Sequence, residues 1–412
     1  MADFYIILAY ILGYIGLIAS SFYIINLFFY KKEDGPAAKD DKTVSIIIPA
    51  YNEEGSIERT IKSALNLDYP SEKLEIIIID DGSKDNTYSI AKKLESKKVR
   101  VFTKKNGGKG SALNFGIKKA KGEIVISMDA DTFVKKDSLK IMVGHFINDK
   151  VWSVAPSMGV YNPKGILARI VQIEYYMGVF LRKSFATVNA IHITPGAFSA
   201  YRRSFFLKYG GYDENNLTED LEVALRIQRH HGIIANASKA VAYTLSPESF
   251  KALSIQRRRW YTGLVKNLWN YKDLFGFRYG ALGTIILPLI LITLPLSIFL
   301  TSYSVVRVLL KLKDDLLFMN AINFRFNNAF EFNSFLFKNF FYKLFTQPIF
   351  IIALLFFILI AIYIAFSRKQ MGYKEGNKIN FILFIMLYSF LFTFWWLMSI
   401  GYLIFGKKVS WR

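Results

Sequence analysis

Two carboxylates one residue apart, Asp129 and Asp131, follow the apolar run IVISM. Acids so placed suit a hard divalent cation. Magnesium or manganese takes one or two carboxylates and completes its shell with diphosphate oxygens. A solvated turn would give the same pair, but two further acidic segments also follow apolar runs. Tyr51-Asn52-Glu53 comes after VSIIIPA, and Asp80-Asp81-Gly82-Ser83 comes after LEIIIID. Asp81 offers an acceptor for the imide and hydroxyls of a nucleoside, although Gly-Ser after paired aspartates also makes an ordinary tight turn. Asn106-Gly107-Gly108-Lys109-Gly110 places glycines before a helical pattern, where backbone amides approach phosphate. It is not a P-loop, because Gly110 stands where that loop needs Ser or Thr. Nor is it the dinucleotide fingerprint, which follows a first strand rather than a third. Lys109 therefore reads as a diphosphate contact. Thr218-Glu219-Asp220 opens another helical pattern, either as an N-cap with an acidic first turn or as the source of a base for an acceptor hydroxyl. Gln256-Arg257-Arg258-Arg259-Trp260 is either a basic helix face toward solvent and lipid, or a clamp for a leaving diphosphate beside an indole that stacks on a sugar.

These segments need elements to bring them together. VSIIIPA (44–50), LEIIIID (74–80), VRVFT (99–103) and GEIVISMD (122–129) are short β-branched runs. They alternate with helical patterns near 56–67, 85–97, 109–120 and 137–147. Continuous apolar strands separated by helices describe an α/β domain with a mostly parallel sheet covered on both faces. Ligands of such sheets bind beyond the carboxyl ends of the strands, where the acidic clusters fall. The stretch 151–275 is mixed and less periodic.

The sheet accounts for only part of the chain. Of 412 residues, 52% are hydrophobic and 16% aromatic, more apolar surface than one soluble domain of this size needs. Residues 4–30 carry no charge and are long enough to span a bilayer; a signal peptide would have a basic start and a shorter apolar region. Three more apolar spans follow at 281–306, 347–366 and 380–405, the first containing Pro288 and Pro295. The net charge of +21 then reads as basic flanks facing anionic lipid and substrate rather than as a nucleic-acid surface. Lys31 and Lys32 after the first span place the following domain in the cytosol. Parity puts 307–345 outside and 367–379 inside. The basic outer loop and Lys407, Lys408 and Arg412 run against the rule, unless the aromatic segment 326–345 adds a crossing. The expected division is a membrane helix at 1–30, a charged linker at 31–42, a catalytic domain at 43–261, an amphipathic interfacial helix at 262–280, and about three membrane helices in 281–412. The chain has no cysteine, which excludes disulfides, thiolate catalysis and Cys-based metal sites.

PAYNEE (49–54), DDGS (80–83), GGKGSALNFGI (107–117), DAD (129–131), TED (218–220) and QRRRW (256–260) resemble, in order and spacing, the motifs of glycosyltransferase family 2. The last fits Q-x-x-R-W and is similar to the branch of cellulose, chitin, hyaluronan and poly-N-acetylglucosamine synthases. The resemblance covers about 44–270 and implies a GT-A-type, Rossmann-like domain set between transmembrane helices. It implies that Tyr51, Glu53 and Asp81 hold uridine with Lys109 nearby. Asp129 and Asp131 would bind the donor and its Mg2+ or Mn2+, Asp131 through the ion. Asp220 would be the catalytic base. Gly196, Glu219, Gln256, Arg259 and Trp260 would line the acceptor and diphosphate end, with Arg257 and Arg258 at variable positions and without a role.

The implied partners are a UDP-sugar, a glycan or lipid-linked acceptor, the bilayer of the plasma membrane and, for a secreted polymer, export proteins. The reaction is an inverting transfer, of N-acetylglucosamine by the nearest resemblance. Its product is either a growing β-linked polysaccharide or a polyprenyl-phosphate or lipid-linked glycan carrying one added sugar. A transporter would show charges or paired broken helices within its spans, and a degenerate scaffold would have lost an acidic motif; neither pattern is present. No nucleic-acid-binding module is recognisable.

Overall fold

The computed structural model describes residues 2–29, 37–321, 346–372 and 378–407, with single positions at 338, 341, 342 and 409. Lys31, Lys32, most of the aromatic segment 326–345, Lys374, Lys408 and Arg412 lie outside the described residues, and with them the question of an extra crossing.

A sheet of eight strands forms the centre of residues 43–261. They are β1 (Val44–Ala50), β2 (Leu74–Asp80), β3 (Val99–Thr103), β4 (Ile124–Met128), β5 (Thr132–Val134), β6 (Val151–Val160), β7 (Phe198–Arg202) and β8 (Ile233–Thr244). Their order is β3-β2-β1-β4-β7-β6-β8-β5. The first four pair in parallel, with Ile46 opposite both Ile76 and Ile126. Apolar side chains of these strands alternate between two cores. Ile46, Ile48, Ile76, Ile78 and Ile126 pack on one face, and Ile47, Ile77, Ile79 and Val125 on the other. Helices cover both faces. On the first lie α2 (Ile57–Leu65) and α5 (Ser138–Gly144), and on the second α4 (Lys109–Lys119) and α8 (Glu219–Arg229). The small helices α3 (Thr87–Lys93) and α7 (Arg203–Tyr209) fill the remaining connections.

Beyond β4 only β6 and β8 continue the parallel pairing. Strand β7 enters antiparallel to both β4 and β6, and β5 is antiparallel to β8. The result is a mixed sheet, because β7 reaches β4 through a loop and a long helix rather than through a right-handed crossover.

That helix, α6 (Gly165–Thr187), lies where the sequence shows weak periodicity. It buries Val171 against α9 (Phe250–Asn270), and Ile170 and Tyr176 beneath the membrane-type helices. Among the described residues, four helices are long and apolar enough to cross a membrane. They are α1 (Ala2–Phe29), α10 (Leu287–Ala321, preceded by a π-helical turn at Leu282–Ile286), α11 (Pro348–Met371) and α12 (Lys378–Ile404). One expected boundary is corrected. The division at 261/262 falls inside α9, and 262–280 is not a helix of its own. It comprises the last turns of α9 and the short turns Lys272–Leu274 and Phe277–Tyr279. Gly276 at φ 128° and Gly280 at φ 53° end the helical path there.

Candidate active site

The acidic segments meet at the carboxyl end of the sheet. Asp80 is held by Thr103, whose hydroxyl donates at 2.8 Å, which leaves Asp81 facing the loop after β3. Gly82, at φ 74°, turns the chain so closely beneath that loop that a Cβ would sit 3.0 Å from the Asn106 amide. Asp81 then accepts from the amides of Gly107 (3.0 Å) and Gly108 (2.7 Å) and pairs with Lys104 at 2.8 Å. The carboxylate expected to meet a nucleoside thus also anchors the glycine loop, and Lys104, which the sequence reading did not single out, is its counter-charge. Tyr51 and Glu53 follow β1. The Glu53 amide donates to Thr87 at 2.7 Å, and the Asn52 amide to Ser83 at 3.0 Å, tying this turn to the one after β2.

At the start of α4, Lys109 bridges two carboxylates, Asp129 at 2.6 Å and Glu219 at 2.9 Å. Burial works against its charge, but Asp129, Glu219 and Asp220 more than offset this and raise its pKa. Gly196 lies against this bridge: a Cβ there would meet Lys109 Nζ at 2.8 Å, Asp220 Oδ2 at 3.5 Å and Glu219 Oε1 at 3.6 Å. Only glycine leaves that space open. The loop is fixed by Ser127, which donates to the Gly196 carbonyl at 2.9 Å.

Asp220 receives the Leu221 amide on Oδ1 at 2.8 Å and the Gly196 amide on Oδ2 at 3.2 Å. Burial and the neighbouring Glu219 raise its pKa to about 6, against the pull of Lys109 and Arg259. Asp131 is raised to about 7, first by burial and then by the charges of Asp129 and Glu53; Lys109 and a hydrogen bond with Thr244 oppose this. An excess of negative charge at Asp131 suits a cation, and two carboxylates are the number magnesium or manganese takes beside diphosphate. Among the described residues no group of three metal-ligating side chains forms, so the pair Asp129 and Asp131 is the candidate holder.

Thr218 stands at the N-cap of α8 but makes no side-chain cap. Its hydroxyl accepts from Asn267 at 2.9 Å, and Asn267 also exchanges hydrogen bonds with Asn216. This clasp joins the acidic segment to the second half of α9, and a Cβ on Gly263 would lie 2.4 Å from Thr218 Oγ1. Arg259 donates to the Leu217 carbonyl at 2.8 Å on the same seam. Gln256 is half-buried with no partner for Oε1, and Trp260 carries the Arg257 guanidinium 4.2 Å from its ring centre. Arg257, left without a role in the sequence reading, is fully buried and pairs with Glu174 of α6 at 2.7 Å. No local pattern announces that pair, because its members stand 83 residues apart.

Lys109, Asp129, Glu219 and Asp220 are thus joined around Gly196, with Asp131, Glu53 and Arg259 within electrostatic reach and Asp81 holding the glycine loop before Lys109. Residues 45–210 match the family model described as Glycosyl transferase family 2. This stretch is similar to a family 2 glycosyltransferase domain. The chain is also similar in sequence to proteins named poly-beta-1,6-N-acetyl-D-glucosamine synthase. One, from Staphylococcus aureus (strain MSSA476), is 34% identical over 224 residues, covering 53% of this chain and 54% of that protein. Another, from Staphylococcus epidermidis, is 34% identical over 237 residues, covering 55% and 57%. The chain spans about half the length of the curated relatives it matches. A mannosyltransferase from Pyrobaculum calidifontis, solved with GDP-Man and Mn2+, superposes with a TM-score of 0.59 at 19% identity, covering 90% of this chain and 99% of that one. That likeness is one of fold: a GT-A-type mixed sheet flanked by apolar helices.

Proposed function

We propose that this chain is a membrane-bound inverting glycosyltransferase that moves a sugar, N-acetylglucosamine by preference, from a UDP-sugar onto a growing β-linked polysaccharide. The observation that carries the reading is the clustering of Asp220, Lys109, Asp129, Asp131 and Arg259 within ion-pair or electrostatic reach of one another. The names of the relatives support the sugar and the product, and the four apolar helices support the membrane.

In this reading Asp220, oriented by two backbone amides, accepts the proton of an acceptor hydroxyl. The acceptor oxygen attacks the anomeric carbon as its bond to the diphosphate breaks, so an α-linked donor yields a β-linked product and free UDP. Lys109 and Arg259 face the charge that develops on the leaving diphosphate. Magnesium or manganese held by Asp131 and Asp129 would share that charge. Glu53, Tyr51 and Asp81 lie at the nucleoside end, and Gly196, Glu219, Gln256 and Trp260 toward the acceptor. The domain faces the cytosol from the plasma membrane, and export proteins would receive a secreted polymer.

A second reading adds one sugar to a polyprenyl-phosphate or lipid-linked glycan. It draws on Arg182 of α6, whose Nε and Nη2 are buried with no hydrogen-bond partner among the described residues. Tyr175, two turns earlier on the same face of that helix, lies within electrostatic reach of both Arg182 and Asp131. A desolvated guanidinium without a carboxylate suits an acceptor that carries phosphate.

The test is purified protein in lipid with a panel of labelled UDP-sugars, reading UDP release and product size. Long β-linked polymer from UDP-N-acetylglucosamine is expected. A single solvent-extractable glycolipid would transfer the case to the second reading, and no UDP release from any donor would end both.

A further inference from the structure

Behind the sugar pocket, the second half of α9 meets α10 and α12 around a crevice of about 770 Å3. Its floor is apolar: Leu268 of α9, Leu291, Leu294 and Pro295 of α10, and Trp396 of α12. Its rim carries Lys266, Lys272 and Trp269. The volume falls in the range that encloses a ligand of several hundred daltons. Pro295 has no amide hydrogen, so the Leu291 carbonyl one turn earlier loses its helical partner at the crevice wall.

The crevice lies where the catalytic half joins the apolar helices. Trp269 is 73% exposed and Phe277, in the turn that follows, is 94% exposed. Large aromatic side chains left open at such a level mark a membrane–water boundary. Lys272 leans over the Trp269 ring at 5.2 Å. The neighbouring acid, Asp273, is already paired with Arg229 at 2.7 Å. Among the described residues, neither Lys266 nor Lys272 forms an ion pair, so two cations crown an apolar cleft without a protein anion to meet them.

We propose that this crevice is a binding site for an anionic phospholipid of the leaflet that faces the catalytic domain. One acyl chain lies along Leu268, Leu291 and Leu294, and the phosphate is held by Lys266 and Lys272. An acyl chain suits the floor because water there would find few polar partners. A negative headgroup suits the rim because basic side chains near a bilayer surface attract anionic lipid. Helix α9 carries Gln256, Arg259 and Trp260 in its first half and the crevice in its second, so the seated lipid would set the depth at which that helix rests. The inference rests on the membrane reading and not on sugar transfer, and it is tested without turnover.

The full chain is purified in detergent, stripped of lipid, and mixed with phosphatidylglycerol or phosphatidylcholine, and adducts are counted by native mass spectrometry. The expected result is one retained phosphatidylglycerol, favoured over phosphatidylcholine by roughly thirtyfold, as two basic side chains at a membrane surface would give. Lys266→Gln with Lys272→Gln should abolish the preference at unchanged melting temperature, and Leu294→Trp should block retention by filling the cleft. Equal retention of the two lipids, a lysine double variant that keeps the preference, or a protein dimer occupying the face instead would each overturn the proposal. The lysine pair decides alone if Leu294→Trp does not accumulate.

Discussion

Asp220 accepts a backbone amide on each carboxylate oxygen, which fixes its orientation and suits a base whose direction matters. Its pKa, raised to about 6 by burial and by Glu219, gives a signed pH prediction. The base works ionised, so kcat/KM should be level above about pH 6 and fall about tenfold per unit below it, because protonation removes the only form that can accept a proton. A profile that stayed flat to pH 4.5 would assign the proton elsewhere. Asp220→Asn should cost about 10²- to 10⁴-fold in transfer, the usual worth of a positioned base, while UDP-sugar binding measured by calorimetry stays close to the parent. Equal loss of binding would make Asp220 a structural residue. Asp81, Asp129 and Asp131 are legible in sequence because they follow β-branched runs that read as strands, and strand ends are where parallel sheets bind, whereas Asp220 opens a helix and is marked only by its place in the TED motif. Lys104 beside Asp81 and Asn267 beside Thr218 are not legible, since each becomes a partner only after distant segments have packed.

At the scale of elements, the strands and helices of 44–144, apart from the three-residue β5, stand within a few residues of the expected positions, because their apolar faces alternate cleanly between two cores. Helix α6 escaped notice for the opposite reason. It is wedged between the sheet, α9 and the apolar helices, so apolar residues occur around most of its circumference and the period of 3.6 is blurred. Its join to α9 is the buried pair Glu174–Arg257, with Arg257 fully enclosed and Glu174 23% exposed at the side chain. Removing one partner of such a pair leaves a charge without compensation, whereas removing both can be nearly neutral. Glu174→Ala should therefore destabilise the protein by about 3 kcal/mol, seen as a lowered thermal midpoint in detergent. Glu174→Met with Arg257→Met should recover most of that loss. If the double variant is as unstable as the sum of the two single ones, the pair is not the joint between these helices.

Across the whole molecule, three apolar helices are tied to the catalytic half by their ends. Ser184 donates to the Tyr23 carbonyl near the end of α1 at 3.0 Å, and Leu282 and Ile286 at the approach to α10 pack on Tyr271 and Leu274. Lys135 donates to the Met371 carbonyl at the end of α11 at 2.7 Å. The end of α1, the start of α10 and the end of α11 therefore share one side, as the alternation of crossings requires. From Leu282 to Ala321 the chain runs 40 residues as helix, about 60 Å at 1.5 Å per residue, against a hydrocarbon layer of about 30 Å. The surplus has to stand in water at the far end, and the sequence there agrees: Arg307, Lys311, Lys313, Asp314 and Asp315 are all exposed. The absence of cysteine makes the arrangement directly testable, since any introduced thiol is the only one in the chain. Asp314→Cys should react with a membrane-impermeant maleimide in intact cells, whereas Lys97→Cys, on the catalytic half, should react only after the membrane is opened. Labelling of both positions from one side would mean that α10 does not cross, and the four-span arrangement would have to be redrawn around a helix lying along the surface.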